Sequence, residues 1–216
     1  MQLFIPIIMF FGTCLILRSI INNRGKNKMD DFRHALAQEQ QANFARAKDL
    51  PQDFMRVPDI SFLSATTFRH HLDTLAQEQQ TLLDRLEQNI LQKYNKPMAK
   101  LPGGMTNLEI KQTYGLVNLD KISALEGHFY EYLHALNFYA ERLLDFNLHL
   151  NAEQVLRHAV YDMSSDILKS YTLLHGLYQA HDPAKLTALI SDIQKADSII
   201  KDEAFRAKIT QTFQSN

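Results

Sequence analysis

The 216-residue sequence is poor in cysteine, glycine, proline and tryptophan, with one, seven, six and none of them respectively. A single cysteine excludes a disulfide framework, and Cys14 lies in an apolar N-terminal run where it cannot serve a soluble active site. The sequence also has no Gly-x-Ser-x-Gly, His-Glu-x-x-His, Cys-x-x-Cys or phosphate-binding glycine loop. It therefore indicates no reaction, and we predict no catalytic residues, no metal and no cofactor.

Low glycine and proline contents, together with many Ala, Leu, Gln and Lys residues, are typical of helical proteins. No segment alternates apolar and polar residues over a useful length, so we predict no strands. The expected fold class is all-α, with an N-terminal transmembrane helix followed by a helical domain.

The first 21 residues carry almost no charge. Arg18 has the only ionised side chain between Leu3 and Ile21, and this run approaches the ~20 residues that a helix needs to cross a bilayer. The positive side chains that end or follow the run are Arg18, Arg24, Lys26 and Lys28. Positive charge beside a membrane span stays on the cytoplasmic side. We therefore predict an anchor over residues 1–22, with these four side chains at the anionic membrane surface.

A cleaved secretory signal is the competing interpretation of this run. Such a signal carries its positive charges before the apolar core and a small-x-small cleavage site after it. Here the charges follow the core, and residues 18–23 offer no good cleavage site. The charge order favours an uncleaved single-pass anchor, with the N-terminus outside and residues 29–216 in the cytoplasm.

Residues 29–216 are acidic on balance. Four of the 23 Lys and Arg residues precede residue 29, whereas none of the 24 Asp and Glu residues does. Because phosphate contacts need a basic surface, nucleic acid is not an expected partner.

Residues 23–66 are predicted to link the anchor to the domain. Residues 29–48 carry an incomplete apolar stripe, which favours a moderately amphipathic helix. The stripe consists of Phe32, Leu36, Phe44 and Ala47. Pro51 and Pro58 exclude one continuous helix over residues 50–66. Because this stretch is rich in apolar residues, we expect an extended strap that lies on the helical body.

The helical domain is predicted at residues 67–216. One helix is expected over 67–94, followed by a break rich in Pro and Gly at 95–104. The buried stripe of the helix over 67–94 would consist of Leu72, Leu75, Leu82, Leu86 and Ile90. A capping box at Thr106 and Glu109 opens a short helix, and Gly115 fits a left-handed stop.

Five further helices are expected. The longest covers 120–146, with an apolar face of Ile122, Leu125, Phe129, Leu133, Leu136, Ala140 and Leu143. Asn151 would cap a helix over 152–163, and Ser164 or Ser165 one that runs to residue 180. Asp182-Pro183 is an N-cap with proline at the first helical position, opening a helix to residue 196. The last helix would end at Phe213.

Two helix pairs align at an offset of 34 residues, a period that belongs to helix–turn–helix repeats. The first pair resembles a tetratricopeptide repeat in its order of large and small residues: Leu136, Tyr139, Ala140, Leu143, Ala152, Leu156 and Ala159. The second pair has Leu174, Leu186 and Ile193 where small residues are expected. The resemblance implies tetratricopeptide-like hairpins over about 120–197, and an irregular helical bundle is the alternative.

A second resemblance covers more of the chain. Thr106-Asn107-Leu108-Glu109-Ile110-Lys111, Tyr114-Gly115 and Asn118-Leu119 follow a Pro58-Asp59 strap and an N-terminal anchor. This layout resembles uncharacterised bacterial single-pass membrane proteins. The resemblance implies a bacterial inner-membrane setting and supplies no activity or ligand.

The nearest approach to a metal site is formed by His128, Glu131 and His134. Glu131-x-x-His134 has the spacing used in di-iron carboxylate bundles. Those sites need a second copy, which the sequence lacks, and the three side chains fall beside or opposite the apolar helix face. We therefore predict no metal ligands.

These features favour a membrane-anchored cytosolic helical interaction protein, an adaptor or assembly factor with a protein partner. In a repeat-like hairpin, His134, Asn137 and Glu141 would offer a polar partner-binding surface. Two alternatives remain open: a small membrane-bound metal-binding protein or enzyme, suggested by nine histidines, and a structural subunit of a membrane complex.

The charge order predicts the membrane topology. A cytosol-active reporter fused after Asn216 should work, and one that is active only outside the membrane should stay silent. Changing Arg24, Lys26 and Lys28 to Gln, with Lys inserted after Met1, should weaken or invert this result, because positive charge resists translocation. An external C-terminus, or a mature N-terminus near residue 22, would contradict the anchor.

Overall fold

The computed structural model describes residues 29–103, 105–195, 200 and 202–215. These residues are mostly helical, so the all-α prediction is confirmed. The predicted anchor at 1–22, with Arg18, and the membrane-surface residues Arg24, Lys26 and Lys28 lie outside the described residues. Among the helices within those ranges, none has both the length and the apolar character that a membrane span requires.

The helices of the described residues are α1 (29–42), α2 (Thr66–Leu72), α3 (Gln77–Tyr94), α4 (Asn107–Tyr114), α5 (Leu119–Asp145), α6 (His149–Arg157), α7 (Leu168–His181), α8 (Pro183–Gln194) and α9 (Glu203–Ser215). Single turns of 3₁₀ helix cover Gln52–Phe54, Ser61–Ser64 and Leu116–Asn118, and a π-helical turn covers His158–Asp162. Strands β1 (Met55–Arg56) and β2 (Met98–Ala99) pair in antiparallel fashion, with Met55 opposite Ala99.

The chain divides into two compact units. The described part of unit 1 consists of residues 29–49 and 106–119, and unit 2 consists of the described residues of 50–105 and 120–216. The segment 106–119 groups with residues 29–49. The predicted domain at 67–216 stays a prediction.

In unit 1 helix α1 ends at residue 42, and the chain that follows it lies against the C-terminal end of α4. The Lys48 N–H donates to the Tyr114 carbonyl over 3.1 Å, and the Asn118 side chain donates to the Lys48 carbonyl over 2.8 Å. These bonds hold residues near 48 outside a helix, so the predicted helix to residue 48 is too long.

The predicted capping box is present in unit 1, and the helix ends at Gly115 with a positive φ as expected, but its ψ of 150° lies outside the left-handed helical region. The Thr106 hydroxyl accepts from the Glu109 N–H, and the Glu109 carboxylate accepts from the Thr106 N–H over 2.7 Å. Gly115 has φ 83°, and a Cβ there would lie 2.9 Å from the Ala47 Cα. Glycine is thus required both by the backbone angle and by the close approach of another segment.

The core of unit 2 is built around α5. Every residue of its predicted apolar face is buried: Ile122, Leu125, Phe129, Leu133, Leu136, Ala140 and Leu143. Helix α6 packs on α7, and α7 packs on α8 and α9. The small residues Ala152 and Ala159 of the first predicted hairpin are fully buried, and so is Leu174 of the second.

The predicted helix over 67–94 is wrong at its centre, where residues 73–76 separate α2 from α3. The Gln80 side chain donates to the carbonyls of Asp73 and Leu75, and the Gln79 side chain accepts from the Ala76 N–H. Such local bonds satisfy the backbone without a helix. The buried residues of α3 are consequently Leu83, Glu87 and Ile90, and Leu82 is exposed.

Three smaller predictions also fail in unit 2. The chain does contain strands, but each has two residues, too few to produce a visible alternation. Asn151 lies inside α6 and donates to the Phe68 carbonyl over 2.9 Å, so it is not a helix cap. Helix α7 begins at Leu168, and the Ser165 hydroxyl accepts from the Ile167 N–H before it.

Asp182 caps α8 as predicted, since its carboxylate accepts from the Lys185 N–H over 3.1 Å and Pro183 follows it.

Two glycine substitutions should have opposite effects on stability. Gly115→Ala should cost about 1–3 kcal/mol, because alanine is strained at this positive φ and meets the Ala47 backbone. Gly127→Ala, on an exposed position of α5 with nothing within 4 Å of the added Cβ, should stabilise by up to about 1 kcal/mol. Denaturant unfolding of the full chain, followed by circular dichroism, measures both. Equal effects would contradict the special role of Gly115.

Candidate functional site

The three predicted partner-binding residues of α5 lie in three different environments and do not form one surface. His134 is exposed, Asn137 is only 1% exposed, and Glu141 pairs with Lys169 over 2.7 Å. Asn137 does not lie on a surface because α5 is buried on more than one side at this point. Both polar atoms of its amide are buried, and neither finds a hydrogen-bond partner within the described part of the chain. The partner-binding role of the three residues stays a prediction.

The three residues of the possible metal site do not point at one another. His128 and Glu131 contact different groups, and His134 is exposed. His128 Nδ1 lies 2.9 Å from the Pro97 carbonyl oxygen. Hydrogen bonds from Lys93 and Lys96 lower the pKa of Glu131 to about 2. In the ranges that the structure describes, no three His, Cys, Asp or Glu side chains converge on a common metal position.

A cleft in unit 2 brings oppositely charged side chains together. Its volume is about 490 Å³, and it lies between the 3₁₀ turn at Ser61–Ser64, α2 and α3. We call it the Glu87 cleft; its lining includes Asp59, Ile60, Leu63, Arg69, Glu87 and Tyr94. The break between α2 and α3 folds these helices together, which places Arg69 beside Glu87 although they are 18 residues apart.

Glu87 is the buried charge of this cleft. Its side chain is 9% exposed, and Oε1 accepts from Arg69 Nη2. The second oxygen, Oε2, is buried without a hydrogen-bond partner in the described residues. A buried carboxylate oxygen that lacks a donor lowers stability, so Oε2 is an unsatisfied acceptor in the interior of unit 2.

The other carboxylate of the cleft stays charged. The Ser61 N–H donates to Asp59 Oδ1 over 2.9 Å, and this bond lowers the pKa of Asp59. Asp59 and Glu87 together therefore outweigh the one guanidinium of Arg69.

A chain of three side chains lies behind the 3₁₀ turn. The Tyr132 hydroxyl is 3.0 Å from His158 Nε2, and His158 Nδ1 is 2.9 Å from Asp162 Oδ2. The Phe62 ring of the turn lies 5.3 Å from the His158 ring. His158 is buried, so the chain lies in the interior of unit 2 and connects α5 to the π-helical turn, with the Phe62 ring of the 3₁₀ turn packed beside it.

The π-helical turn creates this arrangement. The Met163 N–H donates to the His158 carbonyl, which adds a residue to the helical turn after α6. A regular helix to residue 163, as the sequence predicts, would rotate these side chains differently. π-helical turns are often found at functional sites.

Unit 1 presents a different kind of surface. Met29, Phe32 and Leu36 have the spacing of one helix face and are all exposed on α1, Phe32 by 63%. We call them the α1 apolar face. The stripe predicted in this helix is therefore not buried by the described residues. Phe44, Leu116 and Val117 of unit 1 are also exposed.

No protein-family model, no curated protein and no solved structure matches this chain.

Sequence reasoning missed the Glu87 cleft, although one signal was present. Glu87 lies four residues after Leu83 and three before Ile90, which is a buried position of the α3 stripe. A glutamate on an apolar helix face indicates a buried charge that needs a partner.

His175 of α7 is buried, with its ring 4.0 Å from that of Phe213 in α9. Burial lowers the pKa of His175 from its ordinary value of 6.5. The burial arises because α9 covers this face of α7, a contact between residues far apart in sequence.

The buried His175 should make stability depend on pH. Below about pH 6.5 the unfolded chain takes up a proton that folded His175 binds less readily, so stability should fall as pH falls. His175→Leu should reduce this slope, whereas His134→Leu, at an exposed position, should leave it unchanged. The pKa of His149 is also lowered by burial. Because His149 is present in both variants, part of the dependence of the unfolding free energy on pH should persist in both. Denaturant unfolding between pH 5 and 8 is the measurement, and equal slopes in the two variants would refute the assignment.

Proposed function

We propose that this chain is a membrane-anchored helical interaction protein, an adaptor or assembly factor that holds a protein partner at a bacterial inner membrane. In this proposal residues 1–22 form the anchor, with Arg18, Arg24, Lys26 and Lys28 at the lipid surface. Residues 29–216 face the cytoplasm, where the helices over about 120–197 act as tetratricopeptide-like hairpins.

One observation carries the proposal: the exposed apolar residues are concentrated in unit 1. Six of the ten large hydrophobic side chains that are exposed in the described residues belong to this unit, although it is much the smaller of the two. Contiguous exposed apolar side chains are typical of surfaces that bind another molecule.

The charges of α1 favour a protein over a lipid surface as the occupant of this face. A helix that lies on an anionic membrane carries Lys and Arg beside its apolar side chains. Helix α1 instead carries Asp30, Asp31 and Glu39 against a single Arg33. Its acidic residues would repel anionic headgroups, whereas they suit a partner with basic residues around an apolar patch.

Crosslinking in native membranes tests this proposal. A photoreactive amino acid at position 32 of the full chain should form an adduct with one defined protein. The same amino acid at position 57 should form none, because Val57 is 91% exposed but belongs to unit 2. With the photoreactive amino acid kept at position 32, Met29→Ser with Leu36→Ser should lower the yield at least tenfold, since burial of each large apolar side chain is worth about 1.5–3 kcal/mol.

Both substituted side chains are exposed, so the double variant should keep the circular dichroism spectrum of the parent protein. Adducts with lipid alone, or equal yields at positions 32 and 57, would overturn the proposal.

A further inference from the structure

Two turns of unit 1 expose large apolar side chains outside the α1 apolar face. Phe44 lies just after α1 and is 89% exposed. Leu116 and Val117 lie in the 3₁₀ turn after α4, where Val117 is 79% exposed. We call residues 43–48 and 115–118 the loop pair. Because Phe44 and Val117 leave most of their apolar area in water, they can bury it against another molecule.

Backbone contacts hold the two segments of the loop pair side by side. The Lys48 N–H donates to the Tyr114 carbonyl over 3.1 Å, and the Asn118 side chain donates to the Lys48 carbonyl over 2.8 Å. A Cβ at Gly115 would lie 3.2 Å from the Ala45 carbonyl oxygen, so the two backbones are in close contact there. The exposed side chains of both segments therefore belong to one region of the surface.

The loop pair carries positive charge and no acid. Arg46 and Lys48 are both exposed, and neither segment contains Asp or Glu. Lys111 of α4, which is also basic, is paired with Glu39. The first acid after the segment 43–48 is Asp49. Two cations thus accompany the apolar side chains of the loop pair, whereas acids accompany the α1 apolar face.

This combination fits an anionic lipid surface. Segments that lie on anionic membranes place Lys and Arg beside apolar side chains, which enter the boundary between headgroups and acyl chains. The negative potential of the surface attracts each basic residue. The long stems of Arg46 and Lys48 allow their charges to stay at the headgroups while Phe44 and Val117 lie deeper. The charge criterion that argues against lipid at the α1 apolar face therefore favours lipid here.

The predicted anchor would keep the loop pair close to such a surface. Helix α1 covers residues 29–42 and is therefore about 21 Å long, and the loop pair begins at its C-terminal end. The basic residues before residue 29 would contact lipid at one end of α1 and the loop pair at the other, which would lay this helix along the membrane. Only this consequence rests on the proposed function; the exposure and charge of the loop pair do not.

We propose that the loop pair binds an anionic lipid surface, with Phe44, Leu116 and Val117 inserted at the level of the headgroups and with Arg46 and Lys48 in contact with anionic lipid. The loop pair shares no residue with the α1 apolar face. Lipid at the loop pair and a protein at the α1 apolar face are therefore compatible, and failure of one proposal leaves the other standing.

Quenching of a fluorescent label by brominated lipid tests the loop pair in the full chain. Cys14 is the only cysteine, so Cys14→Ala allows a single label at Val117→Cys or, as the control, at Leu150→Cys. Leu150 is also exposed but lies on α6 of unit 2, with no Lys or Arg between residues 143 and 156. In vesicles of phosphatidylcholine and phosphatidylglycerol with brominated acyl chains, the label at position 117 should be quenched at least about three times as strongly as the label at position 150.

Charge reversal on the protein and removal of anionic lipid test the electrostatic part. Arg46→Glu with Lys48→Glu should lower the quenching at position 117 by about threefold or more, since each basic residue near an anionic surface contributes roughly fivefold in binding. The matched control is Arg85→Glu with Lys208→Glu, which makes the same change of charge at exposed positions of unit 2 and should leave the quenching unchanged. Vesicles of phosphatidylcholine alone should likewise quench this label more weakly than the anionic vesicles.

Arg46, Lys48 and Val117 are exposed, so these variants should keep the circular dichroism spectrum of the parent protein. Equal quenching at positions 117 and 150, unchanged quenching after reversal of Arg46 and Lys48, or equal quenching in neutral and anionic vesicles would overturn the proposal. A label at position 117 that is protected from aqueous iodide but not quenched by brominated lipid would also overturn it, because that result indicates a protein occupant. Crosslinking at position 32 tests the α1 apolar face separately.

Discussion

The burial of α5 on more than one side is the constraint on which unit 2 depends. Phe129, Leu136 and Ala140 are fully buried, and so is Tyr139 on the same helix. A helix enclosed in this way must also bury polar atoms, and the Asn137 amide and the Tyr139 hydroxyl are buried in this manner. Polar groups in a core are tolerated when partners satisfy them. The Asn137 amide and the Tyr139 hydroxyl have no hydrogen-bond partner among the described residues, so they reduce the stability that this core would otherwise have.

Local patterns in the sequence predicted much of this architecture. The stripe of α5, the Thr106 capping box, the Gly115 stop and the Asp182-Pro183 start each depend on residues within a few positions of one another. The helix break at residues 73–76 escaped prediction because it depends on hydrogen bonds from Gln79 and Gln80, residues that are otherwise good helix formers.

The candidate site depends on contacts that no local pattern contains. Glu87 could be recognised as a charged residue on an apolar stripe, but its partner Arg69 lies across the helix break. The contact between Tyr132 and His158 likewise requires the π-helical turn, whose extra residue has no distinct signal in sequence. The burial of His175 requires knowledge of where α9 packs. In each case the partner or the burial of the side chain is set by a tertiary contact, which the neighbouring sequence does not specify.

Charge is distributed unevenly along this chain, with a basic segment before residue 29 and an acidic remainder. Four of the 23 basic residues and none of the 24 acidic residues lie before residue 29, so the remainder is acidic. An acidic body is repelled by anionic lipid, whereas the basic segment is attracted to it. The acids beside the α1 apolar face and the two carboxylates that line the Glu87 cleft belong to this acidic body. Acidic residues around exposed apolar side chains suit a basic protein partner better than anionic lipid, which is the reason for proposing a protein as the occupant of the α1 apolar face.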